Sequence, residues 1–455
     1  MERKGKLADA GRFNRQLSEN QHLRLKLLFW FISMTVLCTC ALAQEETADY
    51  WFEKSGEFLD NRSLDEADQS LDKALQLDPE NASVWLSKAL VLELLSRGNE
   101  SQAAFAEALY LTDEDLQKNP QDADALWSKG VALDALQRQV EATVARQNAV
   151  EIYNRTLSEN PQDSDTWFKM AEVLVSLYRE EEAISAYRRS AVLNGSKKAD
   201  AWLTAGYLLQ KLGRHNESLE AFDQALQSIP DSDTRKQVSV WEMKGMALEE
   251  AGQTEEAIRS YERVTEIDPQ NTIAWWRFAA LLKDQRKYNQ SLQAYEAVLQ
   301  LGPQSMEEAQ TWMSVGEILN ETGKREEAVE AYARALEIED QALQDNREDC
   351  FAWLNKGRVL YKLGRYDEAI EAYDSAARFS PETMGITEQA WFGKGEVYLK
   401  MGRNAEALEA FRQAIELYPL DYDAWHGKGL AFQGMGKRTE ADMAFKVAEK
   451  LGYRE

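Results

Sequence analysis

Histidine and cysteine are nearly absent, with three of each in 455 residues. That leaves little imidazole and thiolate for a metal site, and no GxxxxGK[ST], HExxH or paired CxxC occurs. His22, His215 and His426 stand far apart, and His215 is expected in a turn, solvated. Only eight prolines and 24 glycines are present, which excludes a collagen-like or Pro-rich linker protein. Basic residues number 53 against 78 acids, and the net charge of -25 argues against nucleic acid as a partner. Apolar residues are plentiful at 44%, with 10% aromatics, which excludes disorder. The length is too great for one compact core unless the fold is elongated or repeated.

The N-terminus differs from the rest. Residues 1–26 are basic, with Arg3, Lys4, Lys6, Arg12, Arg15, Arg24 and Lys26 against Glu2, Asp9 and Glu19. The uncharged run 27–43 follows, and Ala41-Leu42-Ala43 before Gln44 fits a small-x-small cleavage site. A positive flank ahead of an apolar run places the remainder outside the cytoplasm. The expectation is a signal peptide cleaved near Ala43 or a retained membrane anchor, with membrane contact through this segment alone. Cys38 and Cys40 lie in the run, so an internal disulfide is excluded beyond it. Cys350 is read as a lone thiol in a helix-to-helix junction.

From residue 44 to 455 one pattern recurs. An aromatic opens each unit, a small residue follows at +4 and an apolar one at +7, which is one face of a helix. The openings are Trp51, Trp85, Leu126, Trp167, Trp202, Trp241, Trp275, Trp312, Trp353, Trp391 and Trp425. A second helix then carries Leu71, Phe105, Tyr153, Tyr187, Phe222, Tyr261, Tyr295, Tyr332, Tyr373, Phe411 or Phe445. Turns with Gly213, Gly252, Gly323, Gly364, Gly402 or Gly436 separate the two, as a helix C-terminus favours. Every proline falls between one unit's second helix and the next unit's first. Asp124, Asp165, Asp200 and Asp423 are placed to cap first helices.

This pattern resembles the tetratricopeptide repeat family, whose period is about 34 residues. The resemblance implies an all-α fold, a right-handed α-solenoid of about eleven helix–turn–helix units, with first helices lining a concave groove. Three spacings of 41 add seven residues, about two helical turns. Units two and eight place the insertion after the second helix; unit three, lacking a glycine break, reads as a lengthened first helix or hairpin. Unit four has Asn194-Gly195-Ser196 in place of the junction proline. Lys54, Lys88, Lys129, Lys244, Lys356, Lys394 and Lys428 sit where the family often has leucine. Their stems pack while the ammonium groups reach nearby carboxylates; the alternative is a ladder of cations for an anionic ligand.

The position after each opening aromatic faces the groove in the family. Here it holds Phe52, Leu86, Trp127, Phe168, Leu203, Trp276, Met313, Leu354 and Phe392, with Glu242 and His426 at the other two. No lysine stands there, so the residues that clamp a chaperone's terminal carboxylate are missing. An apolar groove suits a peptide, with Trp127 and Trp276 as the strongest anchors. Candidate glycosylation sites are Asn61, Asn81, Asn99, Asn154, Asn194, Asn216, Asn289 and Asn320. Phe445, Val447 and Leu451 on the last unit are candidates for contact with a partner or a second copy. The chain reads as a non-enzymatic, extracytoplasmic scaffold for another protein or peptide, without metal or cofactor. The alternatives are a structural subunit of a cell-envelope assembly and a regulatory or substrate-recruiting subunit of an envelope glycosyltransferase.

Overall fold

A small residue four positions after each opening aromatic leaves a hole in the first helix, and the second helix fills it with a ring. A Cβ on Gly206 would lie 2.7 Å from the Phe222 ring, one on Gly316 2.6 Å from Tyr332, and one on Gly395 2.6 Å from Phe411. Phe222 and Phe411 are buried as a result. Each such ring contributes on the order of 2–3 kcal/mol. One ring serves two repeats where the sequence offers a second glycine. Tyr373 fills the space at Gly357 in its own repeat and at Gly393 in the next; Phe411 does so at Gly395 and Gly427.

The computed structural model describes residues 47–60, 63–193, 195–380 and 384–453. Among them are twenty-two helices and no strand. They form two bodies, residues 47–251 and 252–453. The first holds α1 (Ala48–Asp60), α2 (Leu64–Leu77), α3 (Ala82–Leu94), α4 (Gly98–Lys118), α5 (Ala123–Ala135), α6 (Gln139–Glu159), α7 (Ser164–Ser176), α8 (Glu180–Val192), α9 (Lys198–Lys211), α10 (His215–Ser228) and α11 (Thr234–Glu250). The second holds α12 (Thr254–Ile267), α13 (Thr272–Asp284), α14 (Tyr288–Gln300), α15 (Ser305–Glu321), α16 (Arg325–Asp345), α17 (Cys350–Lys362), α18 (Tyr366–Phe379), α19 (Met384–Lys400), α20 (Asn404–Leu417), α21 (Tyr422–Gly434) and α22 (Arg438–Lys450).

Both bodies are α-solenoid stacks of antiparallel helix pairs. Within each body, each helix packs on its chain neighbours, and like-placed first helices also touch: α3 with α5, α9 with α11, α13 with α15, α15 with α17, α17 with α19, and α19 with α21. First helices therefore form the more closely spaced, inner row of each stack. The opening tryptophans are half-buried and stitch their own junctions. The indole nitrogens of Trp85, Trp167, Trp275 and Trp425 donate to the carbonyls of Pro79, Pro161, Pro269 and Pro419 at 2.8–3.1 Å.

Three details depart from the sequence reading. The insertions of units two, three and eight all lengthen the second helix itself, neither following it nor lying in the first: α4, α6 and α16 each span 21 residues, while α5 spans 13. The break in unit three falls at Gln137, which takes φ 63° without being glycine. The residue facing Gly130 is then Arg146, not Tyr153, which sits two turns further along. The capping aspartates are Asp122, Asp163 and Asp421, two residues ahead of those expected, because the helices start earlier. Asp124 instead accepts from Tyr153 and Lys169, and Asp200 pairs with Lys236. His215 opens α10 rather than sitting in the turn, and it is half-buried.

The run 27–43, Asn61, Asn194 and Pro381 lie outside the described residues. Among the described residues no helix is long and apolar enough to cross a membrane.

Candidate protein-binding face

The nine apolar positions that follow the opening aromatics divide by burial. Phe52, Leu86, Trp127, Phe168 and Leu354 are at most 8% exposed and belong to the hydrophobic cores, so their role is packing. Phe168, for example, meets Tyr187 edge-on with centroids 5.2 Å apart. Leu203 in the first body, and Trp276, Met313 and Phe392 in the second, are half-buried and keep accessible surface. The residue spacing alone does not separate the two sets. The depth of each position depends on how closely the neighbouring first helix approaches.

In the second body this inner row is pinned by charge. Glu317 on α15 accepts from Lys283 on α13 at 2.8 Å and pairs with Lys362 on α17 at 2.9 Å. The two ammonium groups overcome its burial and hold the carboxyl below the usual range. Arg358 on α17 donates to Gln389 on α19 at 2.6 Å. Four first helices, α13, α15, α17 and α19, are thereby held at fixed spacing around Trp276, Met313 and Phe392. Preorganisation of this kind lowers the entropic penalty of binding.

The lysines after the opening aromatics meet carboxylates. Lys88 lies 2.5 Å from Asp72, Lys129 2.6 Å from Asp113, Lys356 2.5 Å from Asp340 and Lys394 2.5 Å from Asp374, while Lys244 pairs with Asp223. Lys54 pairs within its own helix, with Glu57 at 2.5 Å. Those five inter-repeat rungs each join a repeat to the one before it; Lys54 stays on its own helix, and Lys428 has a different neighbour.

Of the asparagines in glycosylation sequons, Asn99, Asn154, Asn216, Asn289 and Asn320 are exposed. Asn81 caps α3, accepting from the amides of Ser83 and Val84. Ser101, Ser218 and Ser291 in three of these sequons are buried, and each hydroxyl donates to a first-helix carbonyl, of Ala89, Gly206 and Ala279. A packing requirement therefore accounts for the serine at these three positions.

The interior also holds titratable groups. Glu172 on α7 is 2% exposed, and burial lifts its carboxyl well above the usual range against the pull of Lys197 and Lys169. Neither of its oxygens has a hydrogen-bond partner among the described residues, nor does the hydroxyl of Tyr187. These groups are enclosed and present no chemistry to a substrate. Among the described residues no three His, Cys, Asp or Glu side chains are grouped to hold a metal ion.

Three family models, each described as tetratricopeptide repeat, match this chain. One covers residues 198–270, 307–382 and 348–420, a second 248–316, and a third 56–115. The chain is a tetratricopeptide-repeat protein. Proteins of this family are generally protein-interaction scaffolds that bind peptides or proteins, and the fold is typically non-catalytic. This tetratricopeptide-repeat chain is 25% identical over 101 residues to Superkiller complex protein 3 of Mus musculus, and 25% over 99 residues to that of Homo sapiens. Each match covers 22% of this chain and spans 6% of the relative's length. Among solved structures, it is similar to YrrB, titled a TPR protein with an unusual peptide-binding site, at 23% identity and a TM-score of 0.35, over 42% of this chain and 93% of that one. It is also similar to the APC/C hetero-tetramer Cut9-Hcn1, at 16% identity and a TM-score of 0.39, over 91% and 95%.

Proposed function

We propose that the second body binds an extended or helical segment of a partner protein along its inner row of first helices. Trp276, Met313 and Phe392 are the apolar anchors. The observation that carries this is their shared position on α13, α15 and α19, half-buried where Phe52, Leu86, Trp127, Phe168 and Leu354 are enclosed. A half-buried tryptophan beside fixed charges is the residue type on which interfaces concentrate their energy. The chain acts by holding, not by catalysis. The test is Trp276→Ala in the full chain, titrated with the segment that crosslinks to it as a synthetic peptide. Loss of one central anchor of about 2 kcal/mol weakens binding about thirtyfold. Unchanged affinity contradicts the proposal.

We also infer that the protein works outside the cytoplasm, tethered by or released from residues 27–43. What supports this is the basic flank, the uncharged run and the Ala-Leu-Ala before Gln44. Terminal peptide sequencing of the native protein tests it. A start at Gln44 means release, an intact N-terminus in a membrane fraction means a tether, and an intact chain in the cytosol contradicts export.

A further inference from the structure

The lysine rungs keep one geometry until the last junction. Tyr373 packs its ring on Gly393, and the residues one step further on each helix, Asp374 and Lys394, pair at 2.5 Å. Phe411 packs on Gly427 in the same way, and one step further stand Arg412 and Lys428. Lys428 has kept the rung position, with its ammonium 4.2 Å from the centroid of the Trp425 ring, as Lys394 is 4.3 Å from that of Trp391. The carboxylate that every other junction rung supplies has been replaced by a guanidinium.

No carboxylate among the described residues takes its place beside Lys428. None lies within ion-pair distance of that ammonium, while Arg412 reaches only the exposed Glu409 on its own helix, at 3.7 Å. Lys428 is half-buried, and burial together with Arg412 holds its ammonium below the usual value. Two cations side by side oppose folding, and an anion between them removes that penalty. A guanidinium supplies a planar fork for a carboxylate, the ammonium supplies a point charge, and the indole closes one side.

We propose that Arg412 and Lys428 form a seat for a carboxylate of an acidic peptide segment, which takes the place that Asp374 holds one junction earlier. The ligand class rests on the peptide-binding reading above; the seat itself does not. The net charge of -25 repels a long polyanion, whereas a single carboxylate on a short segment feels the local pair, because salt screens charges beyond about 8 Å.

The probe is a fluorescent hexaglutamate peptide, titrated into the full chain and followed by anisotropy. The parent binds it saturably at low salt, and binding weakens as salt rises. Arg412→Asp restores the rung and lowers affinity at least about tenfold while thermal stability stays level or rises, so misfolding is not the cause. Lys428→Gln weakens binding as well. Trp276→Ala leaves hexaglutamate binding unchanged, which separates this seat from the apolar face. Absence of saturable binding by the parent overturns the proposal, as does equal binding by Arg412→Asp. Displacement of the peptide by millimolar inorganic phosphate at constant ionic strength overturns the peptide assignment in favour of a free anion.

Discussion

The hydroxyl of Ser218 donates to the carbonyl oxygen of Gly206 at 2.8 Å, in a buried contact that ties the start of α10 to the middle of α9. The same bond recurs from Ser101 to Ala89 and from Ser291 to Ala279. Replacing Ser218 by alanine removes the donor inside a closed turn and costs about 0.5–1.5 kcal/mol. Asn216→Gln, two residues earlier and exposed, leaves stability unchanged. Urea unfolding of both variants checks this; equal midpoints would mean that the serine is present only as part of a sequon.

The turn between the two helices of a repeat demands a left-handed residue. Gly364 takes φ 75° there, while Gln137 takes φ 63° with a side chain in place. Left-handed backbone strains a residue with a Cβ by about 1–2 kcal/mol. Gln137→Gly therefore gains up to about 1 kcal/mol, part of the relief being lost to the freer unfolded chain. Gly364→Ala loses about 1 kcal/mol. Opposite shifts in thermal midpoint are expected; shifts of the same sign would contradict the strain argument.

Arg146 occupies the space that an aromatic fills in most other repeats. Its Cγ lies 2.8 Å from a Cβ built on Gly130, its guanidinium is 5.6 Å from the Trp127 ring and 3.1 Å from Asp134, and its Nε is buried without a partner. Arg146→Phe keeps the volume and removes the unsatisfied donor, whose burial costs about 1–3 kcal/mol. The variant is expected to be at least as stable as the parent by chemical denaturation. A loss above about 1 kcal/mol would show that the stack on Trp127 and the pair with Asp134 outweigh that penalty.

Most of the fold was legible because each repeat repeats its reasons. The tryptophan openings, the small residue at +4 and the junction prolines all have one structural role, and the helices fall where those residues place them. The third unit was misread because Tyr153 imitates the expected aromatic, and because Gln137 breaks the helix without glycine. Seven residues is close to two helical turns, so shifting the insertion from one helix to the other leaves the apolar pattern unchanged. The caps were misplaced for a related reason, since aspartates at 122 and 124, 163 and 165, and 421 and 423 come in pairs two apart. The groove was the least legible part. Leu354 and Met313 occupy the same repeat position, yet one is 2% exposed and the other half-buried, a difference set by neighbouring helices that a single repeat does not encode.

Glu339 on α16 is 4% exposed and hydrogen-bonded to the side chain of Asn355, and burial pushes its carboxyl up to about 8 from the usual 4.5. Between those pH values the folded protein holds a proton that the unfolded chain releases. The stability this group lends is complete below pH 4.5 and is lost as pH rises through 8. Glu339→Gln mimics the protonated form and removes that dependence. Its thermal advantage over the parent is expected to widen from pH 5 to pH 8, reaching on the order of 1–3 kcal/mol. A constant difference across that range would contradict the burial argument.

The central claim is that the inner row of first helices in the second body holds a partner protein. Crosslinking in the native cell, followed by affinity purification of the tagged full-length chain and mass spectrometry, tests it most directly. One dominant partner, joined through residues of α13, α15 and α19 and lost from Trp276→Ala, is the predicted result. A diffuse set of proteins joined through second helices, and retained by Trp276→Ala, would contradict it.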